Sequence, residues 1–133
     1  MFFDEEMLLD LRLNIMNQYV DKFVITEANY MHNGSRKKFN FNINNFSKFK
    51  DKIIYIPIET SPPGLFTLDQ NDDHKTKSNK LIKNAYVREI YQIQKAQEGL
   101  TNSDENDIVI ISDLDEIPNL EKINFNKINN RLI

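Results

Sequence analysis

The order of apolar runs and amphipathic stretches in this chain predicts an α/β fold with a mostly parallel sheet. Three observations carry the prediction. Short β-branched runs alternate with segments of helical periodicity. The run Ile108-Val109-Ile110-Ile111 is uninterrupted, as expected of a strand covered on both faces. Two of the runs empty into acids, at Glu27 and Asp113, and ligands of open α/β sheets gather at the carboxyl ends of strands.

A helix opens at Asp4 or Glu5, where acids suit the positive end of the helix dipole, and runs to about Tyr19. Leu8, Leu11, Ile15 and Tyr19 form one apolar row, and Leu9, Leu13, Met16 and Val20 a second, so the helix is expected to be substantially buried. Arg12 lies between the rows and needs a partner, a salt bridge before a ligand. Lys22 to Glu27 reads as a strand, Ala28 to Ser35 as a loop with His32 and Gly34, and Phe39 to Asn44 as a short edge strand. Asn45 to Lys52 looks like a helical turn carrying Phe46 and Phe49, and Ile53 to Ile58 is the next strand, with Pro57 marking an edge or an end. Glu59 to Lys77 is a long polar loop. The second helix spans Asn79 to Leu100; Leu81, Ile82, Ala85, Tyr86, Ile90, Ile93 and Ala96 are its expected apolar side, and Arg88, Glu89 and Gln92 share another face. The strand at 108–111 follows, then a weak helical pattern over 120–133.

A chain of 133 residues suits one domain, residues 1–133, and 40% hydrophobic with 28% charged residues is an ordinary globular balance. The net charge of −3 argues against nucleic acid as a partner. The absence of cysteine excludes disulfides and thiolate zinc sites. No apolar stretch reaches membrane-spanning length. Met1-Phe2-Phe3 reads like the end of a strand and the last helix lacks a cap, so a fragment of a longer protein is expected.

The sharpest chemistry lies in Ser112-Asp113-Leu114-Asp115-Glu116-Ile117-Pro118. Asp113, Asp115 and Glu116 put three carboxylates within four positions, and such a cluster repels itself unless a cation or several donors offset the charge. Mn²⁺ or Mg²⁺ carrying substrate phosphates does so, since these ions accept one or two carboxylates plus phosphate oxygens. The plain alternative is a turn capping the next helix.

On these residues the chain resembles glycosyltransferase family 17, the family of β-1,4-mannosyl-glycoprotein β-1,4-N-acetylglucosaminyltransferase. The resemblance is carried by Phe2-Phe3-Asp4-Glu5-Glu6 with Leu9 and Arg12, by Phe23-Val24-Ile25-Thr26-Glu27-Ala28 with His32, by Arg88-Glu89 with Gln92, and by Asp107-Ile108 through Ile111-Ser112-Asp113-Leu114-Asp115-Glu116-Ile117-Pro118, in the family's order. It implies a Rossmann-like, GT-A-type nucleotide-diphospho-sugar transferase fold, of which this chain is the donor-binding portion. It also implies a UDP-sugar donor, N-acetylglucosamine foremost, and inverting transfer to a glycan or glycoprotein hydroxyl. Asp115 then touches the metal–diphosphate, Asp113 lies nearer ribose or metal-bound water, and Glu116 supports them. The catalytic base is expected beyond Ile133, leaving the chain alone inactive.

Within that resemblance Glu27 is a candidate for uridine or ribose hydroxyls, against a capping role. His32 is a candidate substrate contact, against an ordinary surface histidine. Arg88 is a candidate for diphosphate, against an ion pair with Glu89 or another acid. Location follows the source: cytoplasmic for a bacterial or viral chain, Golgi membrane-associated for a eukaryotic one whose anchor lies outside this sequence. Two other classes fit the acidic stretch, a metal-dependent phosphohydrolase or phosphotransferase and a non-catalytic nucleotide- or carbohydrate-binding fragment.

Overall fold

The computed structural model describes residues 1–125. It is a small α/β unit built on a two-stranded parallel sheet, with β1 (Phe23–Ala28) paired to β2 (Ile53–Ile58) in the register Phe23–Ile53 through Ala28–Ile58. α1 (Glu6–Met16) precedes the sheet and α2 (His74–Ala96) follows it. Side chains alternate along β1, so the strand presents two faces. Phe23 and Ile25 face Leu9, Leu13 and Met16 of α1 in the main core, which Phe2, Phe46, Phe49 and Leu120 complete. The opposite face receives α2. There Gly99, just past the helix, lies so close to Val24 that an added Cβ would come within 2.7 Å of its methyls. Ala28 and Ile58 meet Tyr30 and Tyr91 at the carboxyl end.

Of the two apolar rows of α1, only the row of Leu9, Leu13 and Met16 is buried, while Leu11, Ile15 and Tyr19 remain exposed. The helix therefore lies on the sheet by one stripe. Its end is held from outside, because Lys52 Nζ donates to the carbonyls of Asn17 at 2.7 Å and Val20 at 2.8 Å. A cation there also complements the negative end of the helix dipole.

Residues 39–44 do not form the expected edge strand. The backbone N–H groups that a ladder would use are taken by Glu27: Asn40 N–H donates to Oε1 at 2.7 Å and Phe41 N–H to Oε2 at 3.0 Å. Lys37 Nζ donates to Oε1 at 2.5 Å and the Tyr55 hydroxyl to Oε2 at 2.9 Å. The carboxylate is fully buried, and its four donors match the four lone-pair positions it offers. Burial, then the bond to Glu27, pushes the Tyr55 phenol well above its ordinary pKa, so it remains a donor. Phe41 stacks on Tyr55 at 4.5 Å and on Phe46 at 5.5 Å, roofing the charge with aromatic rings. Asn42 accepts from Asn44 N–H and opens the 3-10 helix Ile43–Phe49, which drops Phe46 and Phe49 into the core.

α2 starts five residues before the expected Asn79, because Asp73 caps it by accepting from Thr76 N–H at 2.7 Å. The inward face of the helix also differs from expectation. Asn84, Arg88 and Gln92 are its buried residues, whereas Leu81, Ile82, Tyr86 and Ile93 are exposed. The polar row turns inward because it ties down loops: Asn84 accepts from Phe66 N–H at 2.7 Å and donates to Phe66 O at 2.9 Å, fixing the 59–73 loop. Leu120–Lys122 forms a single 3-10 turn that ends at Ile123 in extended backbone, and residues 126–133 of the predicted last helix lie outside the described residues.

Removing one side of a buried ion pair strands the other charge, a loss of about 3–5 kcal/mol. Glu27→Ala should therefore lower the free energy of unfolding in urea by that amount, while Tyr55→Phe should cost only about 1.5–3 kcal/mol for a bond to a charged group. Equal effects of the two variants would contradict the central role of the carboxylate.

Candidate functional site

The expected central strand at 108–111 is not formed. The segment has no regular secondary structure and no hydrogen-bonded neighbour among the described residues, and Ile108 and Ile111 are 46% and 52% exposed. A covered strand needs a partner edge, and the second edge of β1 is met instead by the chain start, where Phe2 N–H donates to Thr26 O at 2.9 Å. The segment is anchored by Ile110, Leu114 and Ile117 packing on the main core.

What shapes the acidic stretch is Arg12. Its Nη1 donates to the carbonyls of Asp113 at 2.6 Å, Glu116 at 2.9 Å and Leu114 at 3.3 Å, and its Nη2 to Ser112 Oγ at 2.5 Å. The turn closes through Glu116 N–H donating to Asp113 O at 3.1 Å. Arg12 thus finds its partner in backbone oxygens and not in the expected salt bridge. Desolvation draws the guanidinium pKa down, and the nearby charges of Asp113, Asp115 and Glu116 draw it back up. The carboxylates of Asp113 and Asp115 accept no hydrogen bond and form no ion pair among the described residues.

A second clamp shapes the loop after β1. Arg88 Nη1 donates to His32 O at 2.8 Å, and among the described residues neither Glu89 nor another acid pairs with it. The loop turns through Gly34 N–H to Met31 O and Met31 N–H to Ser35 O, both at 2.8 Å. Gly34 has φ of +89°, and a Cβ there would lie 2.5 Å from Arg88 Nη2, so the position suits glycine twice over. The His32 side chain is exposed.

These pieces meet at a cavity of about 280 Å³ at the carboxyl end of β1. Asp113 and Asp115 line it from the acidic turn, Ala28 and His32 from the strand end and its loop, Gln92 from α2, and Lys37 from beside Glu27. The Met1 amine lies nearby; burial lowers its pKa and Asp113 raises it. Of the residues singled out in the sequence, His32, Asp113 and Asp115 are therefore brought together. Glu27, Arg88 and Glu116 do not line the cavity. Glu27 is enclosed with both oxygens occupied, Arg88 is spent on the loop, and Glu116 is bound to Arg12 through its backbone carbonyl and lies off the cavity lining. Gln92 joins His32, Asp113 and Asp115; the sequence places it on a face with Arg88 and Glu89, and the four-residue spacing of Asn84, Arg88 and Gln92 is the signal for its inward row.

The family model of glycosyltransferase family 17 matches residues 1–132. The chain belongs to this family. Beta-1,4-mannosyl-glycoprotein 4-beta-N-acetylglucosaminyltransferase of Homo sapiens and that of Rattus norvegicus are each 29% identical to the family 17 chain over 125 residues, 91% of it, and the Mus musculus protein is 28% identical. The chain spans about a fifth of the length of these relatives, 21% in each case. No solved structure matches it significantly. No helix among the described residues is long and apolar enough to cross a membrane.

Among the described residues of this family 17 chain no three of His, Asp and Glu converge as a metal cluster, so the expected triad of Asp113, Asp115 and Glu116 is not assembled. Asp113 and Asp115 alone suit a smaller demand. Two unpaired carboxylates on one cavity wall fit a hard cation whose remaining ligands are phosphate and water.

The two arginine clamps make separate predictions. Arg12→Lys keeps the charge but cannot span several carbonyls with a planar fork, so amide hydrogen exchange across 112–116 should speed up about as much as in Arg12→Ala. Full protection retained in the lysine variant would refute the clamp. Gly34→Ala must strain φ and displace Arg88, and a loss of more than about 1 kcal/mol in denaturant unfolding is expected.

Proposed function

We propose that this chain forms the donor side of a glycosyltransferase site, transferring N-acetylglucosamine from a UDP-sugar to a hydroxyl of a glycan or glycoprotein with inversion. The observation that carries this reading is the pair of unpaired carboxylates, Asp113 and Asp115, on the cavity at the carboxyl end of β1 in a family 17 chain. The parallel strand pair with helices on both faces supports a GT-A-like, Rossmann-related arrangement, in which ligands sit beyond the strand ends. The name of these relatives supports the donor sugar and the acceptor class.

Asp113 and Asp115 would hold Mn²⁺ or Mg²⁺. Bound there, the ion would neutralise the diphosphate and stabilise the negative charge that develops on departing UDP. The chain's own contribution is position. Arg12 fixes the turn by its carbonyls and so aims both carboxylates without consuming them. His32 offers its imidazole at the wall, suited to a donor hydroxyl, while Arg88 acts by holding the His32 backbone and not by touching phosphate. Inverting transfer also needs a base for the acceptor proton. Asp113 and Asp115 are committed to the cation and Glu27 is enclosed, so none of these three is assigned that role.

Titration of the chain with UDP, followed by NMR to reach millimolar affinities, tests the reading. Mn²⁺ broadens signals, so Mg²⁺ is the ion to use. Binding should weaken at least about tenfold when EDTA removes the ion, and by a similar factor in Asp115→Asn, which keeps the shape and loses the charge. Identical affinity with and without EDTA would remove the metal role, and no binding of UDP under either condition would remove the donor reading.

A further inference from the structure

We infer that Gln92 is a ligand-contact residue, reading the hydroxyl-bearing ring of the bound molecule while Asp113 and Asp115 serve its anionic part; the inference rests on the donor reading above. Three residues of α2 turn inward at four-residue spacing, and two of them are accounted for by protein partners. Asn84 grips both backbone groups of Phe66, and Arg88 grips the carbonyl of His32. Gln92 is equally buried, at 8% exposure, yet its amide has no hydrogen-bond partner among the described residues. A primary amide offers two donors and an acceptor oxygen, and here no protein group among the described residues occupies them. The amide is not sealed from solvent, since Gln92 is absent from the buried side chains whose polar atoms are orphaned, and the open space it lines is the cavity.

A neutral amide is poorly suited to phosphate, which favours charged donors, but suits hydroxyls that both donate and accept. Asp113 and Asp115 line the same cavity, so a ligand held there by its cation–diphosphate could present a neighbouring sugar ring to Gln92. That ring is either the transferred pyranose or the ribose, and both offer hydroxyls of the required kind. Arg88, one turn before Gln92, keeps α2 tied to the His32 loop, so Gln92 and His32 are held on the cavity wall together.

The test compares the unaltered chain with Gln92→Leu, which keeps the volume and removes the hydrogen bonds, by Mg²⁺-supplemented NMR titration with UDP-N-acetylglucosamine, UDP and inorganic pyrophosphate. The dispersion of each spectrum reports folding directly, and Gln92→Glu, which keeps an acceptor, serves as the second variant should the leucine form not fold. A loss of about tenfold for UDP-N-acetylglucosamine with pyrophosphate unchanged is expected. If UDP is spared, the pyranose is the ring read by Gln92; if UDP weakens as much, it is the ribose. Unchanged binding of both nucleotides, or an equal loss for pyrophosphate, would overturn the inference and leave the donor reading standing. Binding of none of the three probes by the unaltered chain removes the donor reading, and this inference with it.

Discussion

A buried carboxylate sets the terms on which the rest of this unit folds. Glu27 sits near the end of β1 with no exposure to solvent, and a charge so placed must be met on every side. The protein meets it with donors from the loop that follows and from the neighbouring strand, Lys37, Asn40, Phe41 and Tyr55. Each donor fixes a piece of chain. The loop at 37–41 folds back over the sheet, its aromatic rings close the roof, and the 3-10 helix that follows delivers Phe46 and Phe49 to the core. A hydrophobic residue at position 27 would ask for none of this. The carboxylate is therefore an organising demand, and it keeps Lys37 beside the cavity with its charge already spent.

The same economy of means recurs at both arginines. A sheet of two strands supplies few backbone partners, so loops that a larger sheet would hold by ladders are held by guanidinium groups. Arg12 reaches from α1 to the acidic turn, and Arg88 from α2 to the loop after β1. The two helices, on opposite faces of the sheet, thus each control one wall of a single cavity. A planar fork with several donors serves this purpose better than an ammonium, because carbonyls of a turn lie in several directions.

Much of this was legible in the sequence where the cause is local. α1, β1 and β2 follow from periodicity and β-branching within a few residues, and the acids at 113 and 115 and His32, each read from its place after an apolar run, line one cavity. The pairing of 108–111 was not legible, since an apolar run states that a strand is possible while the available edge is decided elsewhere, here by Phe2 on β1. The inward face of α2 was misread for a related reason: the helix carries an apolar stripe and a polar row, and the choice depended on Phe66 and His32, which lie far away along the chain. Glu27 was correctly placed at a strand end, but whether a strand-end acid faces solvent or is roofed depends on the loop that folds over it.

Arg12 holds the acidic turn by main-chain oxygens and the Ser112 hydroxyl, so the scaffold is largely indifferent to which side chains stand at 113 and 115. Shape and chemistry are encoded there by different atoms. Replacement of either aspartate should therefore alter what the turn binds more than how it is held, whereas replacement of Arg12 removes the hold itself. A turn built this way is a fitting on a fixed mount, its shape carried by the main chain and its ligand chemistry by two side chains that the mount leaves unoccupied.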